Sequence, residues 1–138
     1  MILQEHIDFL KELGCDERQH EDRTLFEHLV KTSKNLEKNG APQYIQDAGL
    51  FHSIYGTASF MRKKGMIGPE DRQKIKNMIG EQSEELVWWF CKLERPRRQN
   101  ILYMEEGKLK DDLLFLDTYH QEELESRRVM TWEEAYNI

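Results

Sequence analysis

The sequence predicts an all-α protein folded as a single helical domain. Apolar residues recur at intervals of three and four over several stretches, whereas no useful length of chain alternates with the two-residue period of a strand. The three prolines interrupt none of these helical patterns. A chain of 138 residues is the length of one ordinary domain, so we expect a single domain over 1–138.

The N-terminal half contains three predicted helices. They cover residues 2–13, 24–38 and 42–50. Gly14 ends the first helix, Asn39-Gly40 is a good C-terminal stop for the second, and Pro42 suits the first turn of the third. Residues 15–22 form a polar connection between the first two helices, and we expect a short fourth helix over 55–64.

A further series of helices is predicted in the C-terminal half. They cover residues 69–79, 81–93 and 110–127. The first opens at Pro69 with acidic side chains near its N-terminus, where the helix dipole favours them, and Gly80 separates it from the second. Pro96 ends the second helix, and the pattern over 99–104 does not decide between helix and loop. A capping-box pattern that begins at Thr131 predicts one last turn.

Composition excludes several classes of protein. A net charge of −6 argues against nonspecific binding to nucleic acid or to an anionic membrane, with Arg95-Pro96-Arg97-Arg98 as the one basic exception. The two cysteines form no CxxC motif, so neither a disulfide framework nor a zinc finger is expected. No apolar run approaches the ~18 residues of a membrane span, and the N-terminus lacks the pattern of a signal peptide. These features predict a cytoplasmic protein.

Three side chains stand in places that suggest a metal site. His52 ends an apolar helical run in which Ala48 and Gly49 allow close packing, His28 lies at the edge of an apolar stripe, and Asp117 interrupts an apolar run. Taken alone, His28 is better explained as a histidine at the edge of the core that hydrogen-bonds a carbonyl, and His52 is equally compatible with a buried histidine at a tight helix crossing. A buried carboxylate, however, needs a cation. Two imidazoles and a carboxylate suit a divalent transition ion, which would activate a bound water.

The same residues resemble the H…HD…D pattern of the HD-domain metal-dependent phosphohydrolase superfamily. The stretches that carry the likeness are Glu27-His28-Leu29, the segment AGLFHSIYGT over 48–57 and Leu116-Asp117-Thr118-Tyr119-His120-Gln121, within roughly 20–125. The chain is similar to the hydrolase domain of stringent-response (p)ppGpp enzymes. It is closer still to an HD-like family with an LFHSIYGT signature, in which serine regularly follows the histidine.

The resemblance implies an HD-like helical bundle that binds Mn, Fe, Co or Zn. His28, His52 and Asp117 would hold the ion, and a bound water would attack the phosphorus of a nucleotide or small phosphoester. Arg23, Arg62 and Lys63 are the candidate phosphate contacts, although ordinary solvated charge explains them equally well. No nucleic-acid or membrane partner is expected.

The chain departs from the HD pattern at three positions, which are also the candidate catalytic residues. Ser53 stands where the family has an aspartate, Tyr55-Gly56-Thr57 replaces an acidic pair, and Gln121 replaces an asparagine. These departures argue against (p)ppGpp hydrolysis itself and leave another phosphoester as the substrate.

Two alternatives remain open at this stage. One is a catalytically inactive HD-like protein that binds a ligand or partner. The weaker one is a non-haem iron oxygenase of the same fold, for which His20 and His120 would be the spare ligands.

Overall fold

Seven helices and one pair of short strands make up the described part of the chain. The computed structural model describes residues 1–17, 19–20, 23–56, 67–125 and 132. The helices are α1 (Gln4–Glu12), α2 (Leu25–Lys38), α3 (Gln43–Phe51), α4 (Arg72–Ile79), α5 (Glu81–Lys92), α6 (Arg97–Leu102) and α7 (Lys108–Glu125). The strands β1 (Gln19–His20) and β2 (Arg23–Thr24) pair antiparallel. The all-α prediction is confirmed, and the single-domain boundary stays a prediction.

Helix α2 is the central helix of the bundle. Its N-terminus is capped by Thr24, whose hydroxyl accepts a hydrogen bond from the Glu27 backbone N–H at 3.1 Å. Its C-terminus is closed by Gly40 at φ +84°, as the Asn39-Gly40 pair predicts. Between these ends, α2 packs against α3 on one side and α7 on another, and most of its residues are buried. Its buried polar side chains therefore need partners within α2, as Thr32 has in the His28 carbonyl, or from the neighbouring helices.

The contact between α2 and α3 depends on a glycine. A Cβ placed on Gly49 would lie 2.4 Å from Leu36 Cδ1, which is far inside van der Waals contact. Because both residues lie in the packed helix crossing, the absent side chain lets the C-terminal end of α3 lie directly against α2. That end carries His52, and α2 carries His28, so this close approach brings the two histidines together.

The C-terminal half follows the predicted helices with small shifts. Pro69–Asp71 forms a single 3-10 turn before α4, and the undecided stretch over 99–104 belongs to α6, which begins at Arg97. Most of the predicted fourth helix and the predicted turn at Thr131 lie outside the described residues, and Tyr55 itself lies in a turn. None of the helices in the described ranges is long and apolar enough to cross a membrane.

Candidate metal centre

Three imidazoles meet in the interior of the bundle. His28 comes from the first turn of α2, His52 caps the end of α3, and His120 lies on α7. One ring nitrogen of each lies within 4.8 Å of the others, and this is the one such group of possible metal ligands among the residues that the structure describes. The three residues are 1%, 2% and 5% exposed. The cluster is therefore surrounded by protein.

The tautomer of His52 is determined by the backbone. Its Nδ1 lies 2.7 Å from the carbonyl oxygen of Gly49, which only accepts hydrogen bonds. Nδ1 must therefore carry the proton and donate it to that carbonyl. In the neutral ring, the lone pair then belongs to Nε2, the nitrogen that is directed at His28.

A carboxylate orients His28 in the same way. Its Nδ1 lies 2.5 Å from Glu123 Oε1, and the same oxygen accepts a hydrogen bond from Arg23 Nη2 at 2.5 Å. Since the ion pair with Arg23 keeps Glu123 in its accepting form, His28 donates from Nδ1. Its Nε2 then carries a lone pair, and it lies 3.1 Å from Nε2 of His52.

Two nitrogen lone pairs at this separation repel each other unless a cation lies between them. A proton can bridge the nitrogens of His28 and His52, whereas a metal ion can also bind a ring nitrogen of His120. Two imidazoles on a tetrahedral zinc ion, with bonds of ~2.0–2.1 Å, have nitrogens roughly 3.3 Å apart, close to the separation of His28 and His52. The backbone carbonyl and the carboxylate behind the two rings are the usual outer partners of metal-ligating histidines. The donor set therefore fits a divalent transition ion.

His120 completes this set. Burial, followed by the proximity of His52 and His28, holds the pKa of His120 well below its ordinary value. The ring is therefore neutral at physiological pH, which is the form that binds metal. Its Nδ1 is buried and has no hydrogen-bond partner among the described residues. A polar atom buried without a partner is uncommon in proteins, and a bound ion is one of its ordinary explanations.

Asp117, the carboxylate predicted to bind metal, does not belong to the imidazole group. It lies one turn before His120 on α7, and its Oδ2 accepts a hydrogen bond from Arg98 Nη1 at 3.4 Å. Its role as a metal ligand stays a prediction, and His120 is the third member of the imidazole group. Gln121 is exposed, donates to Glu125 at 3.1 Å and lines the same cavity as Asp117.

The other predicted catalytic residues lie in the turn that follows α3. The Tyr55 hydroxyl donates a hydrogen bond to Glu84 Oε2 at 2.7 Å, in a network that also contains Arg72. Ser53 is partly buried, and its backbone carbonyl accepts a hydrogen bond from the Gly56 N–H at 3.0 Å. The catalytic roles of Ser53 and Tyr55 stay predictions, and the Tyr55 hydroxyl is committed to Glu84.

The predicted phosphate contacts are placed only in part. Arg23 is buried, binds Glu123 and lines a cavity of about 470 Å³ beside α2, so its clearest role is to position Glu123 behind His28. Arg62 and Lys63 lie outside the described residues, as does the side chain of His20.

Glu123 is the one residue of the centre that the sequence did not suggest. Its signal is helical spacing on the buried face of α7, where Leu113, Leu116, His120 and Glu123 follow one another at intervals of three and four. A carboxylate three residues after a buried histidine on the same face is a candidate partner for another imidazole. Recognising it requires knowing that α7 packs against α2.

The fold and the centre together define an all-α protein with a buried three-histidine cluster that suits a metal ion. Residues 9–95 match the family described as "Domain of unknown function (DUF6817)", and the chain belongs to this family. The matched segment contains His28 and His52 and ends before His120. No curated protein and no solved structure shows a significant match to the chain.

Proposed function

We propose that this protein is a divalent-metal-dependent phosphohydrolase acting on a nucleotide or another small phosphoester. His28, His52 and His120 are the proposed metal ligands. The observation that carries the proposal is the 3.1 Å separation of His28 Nε2 and His52 Nε2, each in a ring whose Nδ1 is already bound to an accepting oxygen. That arrangement calls for a cation, and His120 supplies a third nitrogen.

Three protein ligands with one remaining position is the arrangement typical of catalytic zinc sites rather than structural ones. When bound, a divalent ion would lower the pKa of a water molecule and supply a hydroxide nucleophile near neutral pH. The protein's own contribution is orientation. Glu123 and the Gly49 carbonyl hold the rings of His28 and His52 in the metal-binding tautomer, and Arg23 holds Glu123.

The phosphoester class rests on the resemblance of the His28 and His52 segments to HD-domain phosphohydrolases. The acidic residues that assist (p)ppGpp hydrolysis in that superfamily are absent at Ser53 and Tyr55-Gly56-Thr57. A different phosphoester is therefore the better substrate. The iron-oxygenase alternative stays a prediction, since His120, one of its expected spare ligands, lies in the imidazole group, whereas Asp117, the expected carboxylate, does not.

A second candidate is a protein that binds a ligand or partner without turnover. The near-complete burial of all three imidazoles favours it, because a substrate must reach the ion for hydrolysis. The two functions differ in one measurable way, since only the enzyme turns over a phosphoester when metal is bound.

The first test is the metal content of the protein purified without chelator or histidine tag, measured by elemental analysis. We expect about one transition ion per chain, lost in His52→Ala. His6→Ala is the matched control, because His6 is a buried histidine outside the cluster whose Nε2 lies 3.3 Å from the Met78 carbonyl. This control should retain the ion.

The same proteins are then assayed against a panel of nucleotides and small phosphoesters. Turnover that disappears in His52→Ala and persists in His6→Ala would support the hydrolase. Metal binding without turnover would favour the ligand-binding alternative. No metal after incubation with Mn²⁺, Fe²⁺, Co²⁺ and Zn²⁺ would overturn the proposed metal centre.

A further inference from the structure

A second group of charged residues lies outside the imidazole cluster, in a cavity of about 450 Å³ between the start of α6 and α7. The side chains that matter here are Arg95, Arg97, Arg98, Asp117, Thr118 and Gln121. Three guanidinium groups face one carboxylate in a protein whose net charge is −6. The positive excess is therefore local, and nothing in the proposed metal chemistry accounts for it.

Arg97 is the least expected of these residues because it is only 5% exposed. Its Nε donates a hydrogen bond to the Phe90 carbonyl at 3.1 Å, and its guanidinium lies 3.8 Å from the centroid of the Phe90 ring. No carboxylate of the described residues forms an ion pair with it. Burial, followed by the proximity of Arg95, lowers the pKa of Arg97 to about 10. Asp117 favours the charge of Arg97 electrostatically but forms its ion pair with Arg98, so a bound anion would offset the remaining cost of burying the Arg97 guanidinium.

Arg98 lies at the mouth of the same cavity and is half-exposed. It bonds to the Leu114 carbonyl at 3.2 Å, to Asp117 at 3.4 Å and to the Thr118 hydroxyl at 2.9 Å, and all three bonds use Nη1. These contacts hold the side chain in place and neutralise Asp117. Nε and Nη2 make no hydrogen bond within the described ranges, so they are available to a ligand. A guanidinium fork with two donors to spare suits a phosphate oxygen pair.

We propose that this arginine-lined cavity binds the phosphate group of a small anionic molecule. Its volume lies within the range of small-molecule sites, and the net negative charge of the protein opposes a long polyanion such as RNA. The site is separate from the imidazole cluster, because Phe90 stands between them. Its ring packs on Arg97 from one side and lies 5.1 Å from the ring of His120 on the other. Anion binding therefore does not require a bound metal.

The test is isothermal titration with inorganic pyrophosphate. Arg98→Gln removes the exposed guanidinium, and we expect it to weaken binding about tenfold or more, as the loss of a hydrogen bond to a charged group does. Lys108→Gln is the matched control. Lys108 is another exposed cation that pairs with a carboxylate of α7, Asp112 at 2.8 Å, but it lies outside the cavity. The control should bind pyrophosphate within about twofold of the unmodified protein, since the lost pair is at the surface.

Two further variants complete the test. Arg97→Lys keeps the charge and removes the planar fork, so it should weaken pyrophosphate binding while its thermal midpoint reports whether the fold survives. His52→Ala should bind pyrophosphate as the unmodified protein does, which separates this site from the metal centre. Equal binding by Arg98→Gln and Lys108→Gln, or no binding at millimolar pyrophosphate, would overturn the proposal. Tighter binding of a short RNA oligonucleotide than of pyrophosphate would overturn the small-molecule assignment.

Discussion

Two buried polar networks flank the turn that follows α3, and they differ in whether their hydrogen-bond donors meet acceptors. In the first, the Tyr55 hydroxyl and the Arg72 guanidinium both donate to Glu84, at 2.7, 2.8 and 2.9 Å. Donors face acceptors, and the charges are opposite. In the second, the imidazole cluster, nitrogen faces nitrogen at 3.1 Å.

The difference distinguishes a network whose groups have complementary partners from one that brings like groups together. The Tyr55–Glu84–Arg72 network is complete within the protein. Burial and the bond to Glu84 raise the pKa of Tyr55, so its hydroxyl remains a donor at every physiological pH. The imidazole cluster brings together nitrogen atoms of one kind, and a proton or a metal ion between them would satisfy their lone pairs. Burial alone does not identify a site; complementarity among the buried groups is the better criterion.

The largest expected effect on stability comes from removing Glu84, the acceptor of the first network. Glu84→Ala leaves Arg72 and the Tyr55 hydroxyl without their acceptor, and we expect a loss of about 3–5 kcal/mol in the free energy of unfolding, measured with urea. The neighbouring exposed residue provides the control, since Glu85→Ala should change stability by less than ~0.5 kcal/mol. A loss as small as that of the control would mean that this network contributes little to the fold.

Adding metal should stabilise the protein through the second network alone. At a free ion concentration about 100-fold above Kd, we expect a gain of about 2.7 kcal/mol in the free energy of unfolding. His52→Ala should show no gain, because the cluster loses one of its facing nitrogens. The measurement is urea unfolding with and without Zn²⁺ or Co²⁺. An equal gain in the variant would show that the ion binds elsewhere.

Tyr55→Phe tests whether the two networks are independent. It removes one hydrogen bond to a buried carboxylate, so stability should fall by roughly 1.5 kcal/mol. Metal stoichiometry should stay unchanged, because the hydroxyl contacts Glu84 rather than the cluster. Tyr103→Phe, at an exposed tyrosine, is the control and should leave both quantities unchanged. Loss of metal in Tyr55→Phe would show that Tyr55 contributes to the metal site, in line with its place among the candidate catalytic residues of the sequence.

The smallest effect is expected at Asp117. Asp117→Asn breaks an ion pair with the half-exposed Arg98, so the free energy of unfolding should change by less than ~1 kcal/mol. Its metal content should equal that of the unmodified protein, because the proposed ligands are His28, His52 and His120, and Asp117 lies outside their group. Elemental analysis measures the metal content, and loss of the ion in Asp117→Asn would show that Asp117 is a metal ligand.

Local signals in the sequence were sufficient for the helices and for two of the three imidazoles. Gly14, the Asn39-Gly40 pair and Pro69 mark element boundaries through backbone conformation alone, and the structure begins or ends elements beside each of them. His28 and His52 stood out because each occupies an odd position within its own helix. Such features depend on residues that lie within one or two helical turns of each other, so they are visible in the amino-acid sequence.

The placement of the third imidazole, His120, and of Glu123, the carboxylate that contacts His28, depended on tertiary structure. Asp117 and His120 are both buried on α7, one turn apart, and helical periodicity places them on the same face. Only the position of α7 along α2 and α3 decides which of them meets the other histidines. Glu123 reaches His28 across a separation of 95 residues, and no local pattern encodes that contact. The sequence by itself determined the helices and their buried faces, whereas helix packing decided which side chains share the interior.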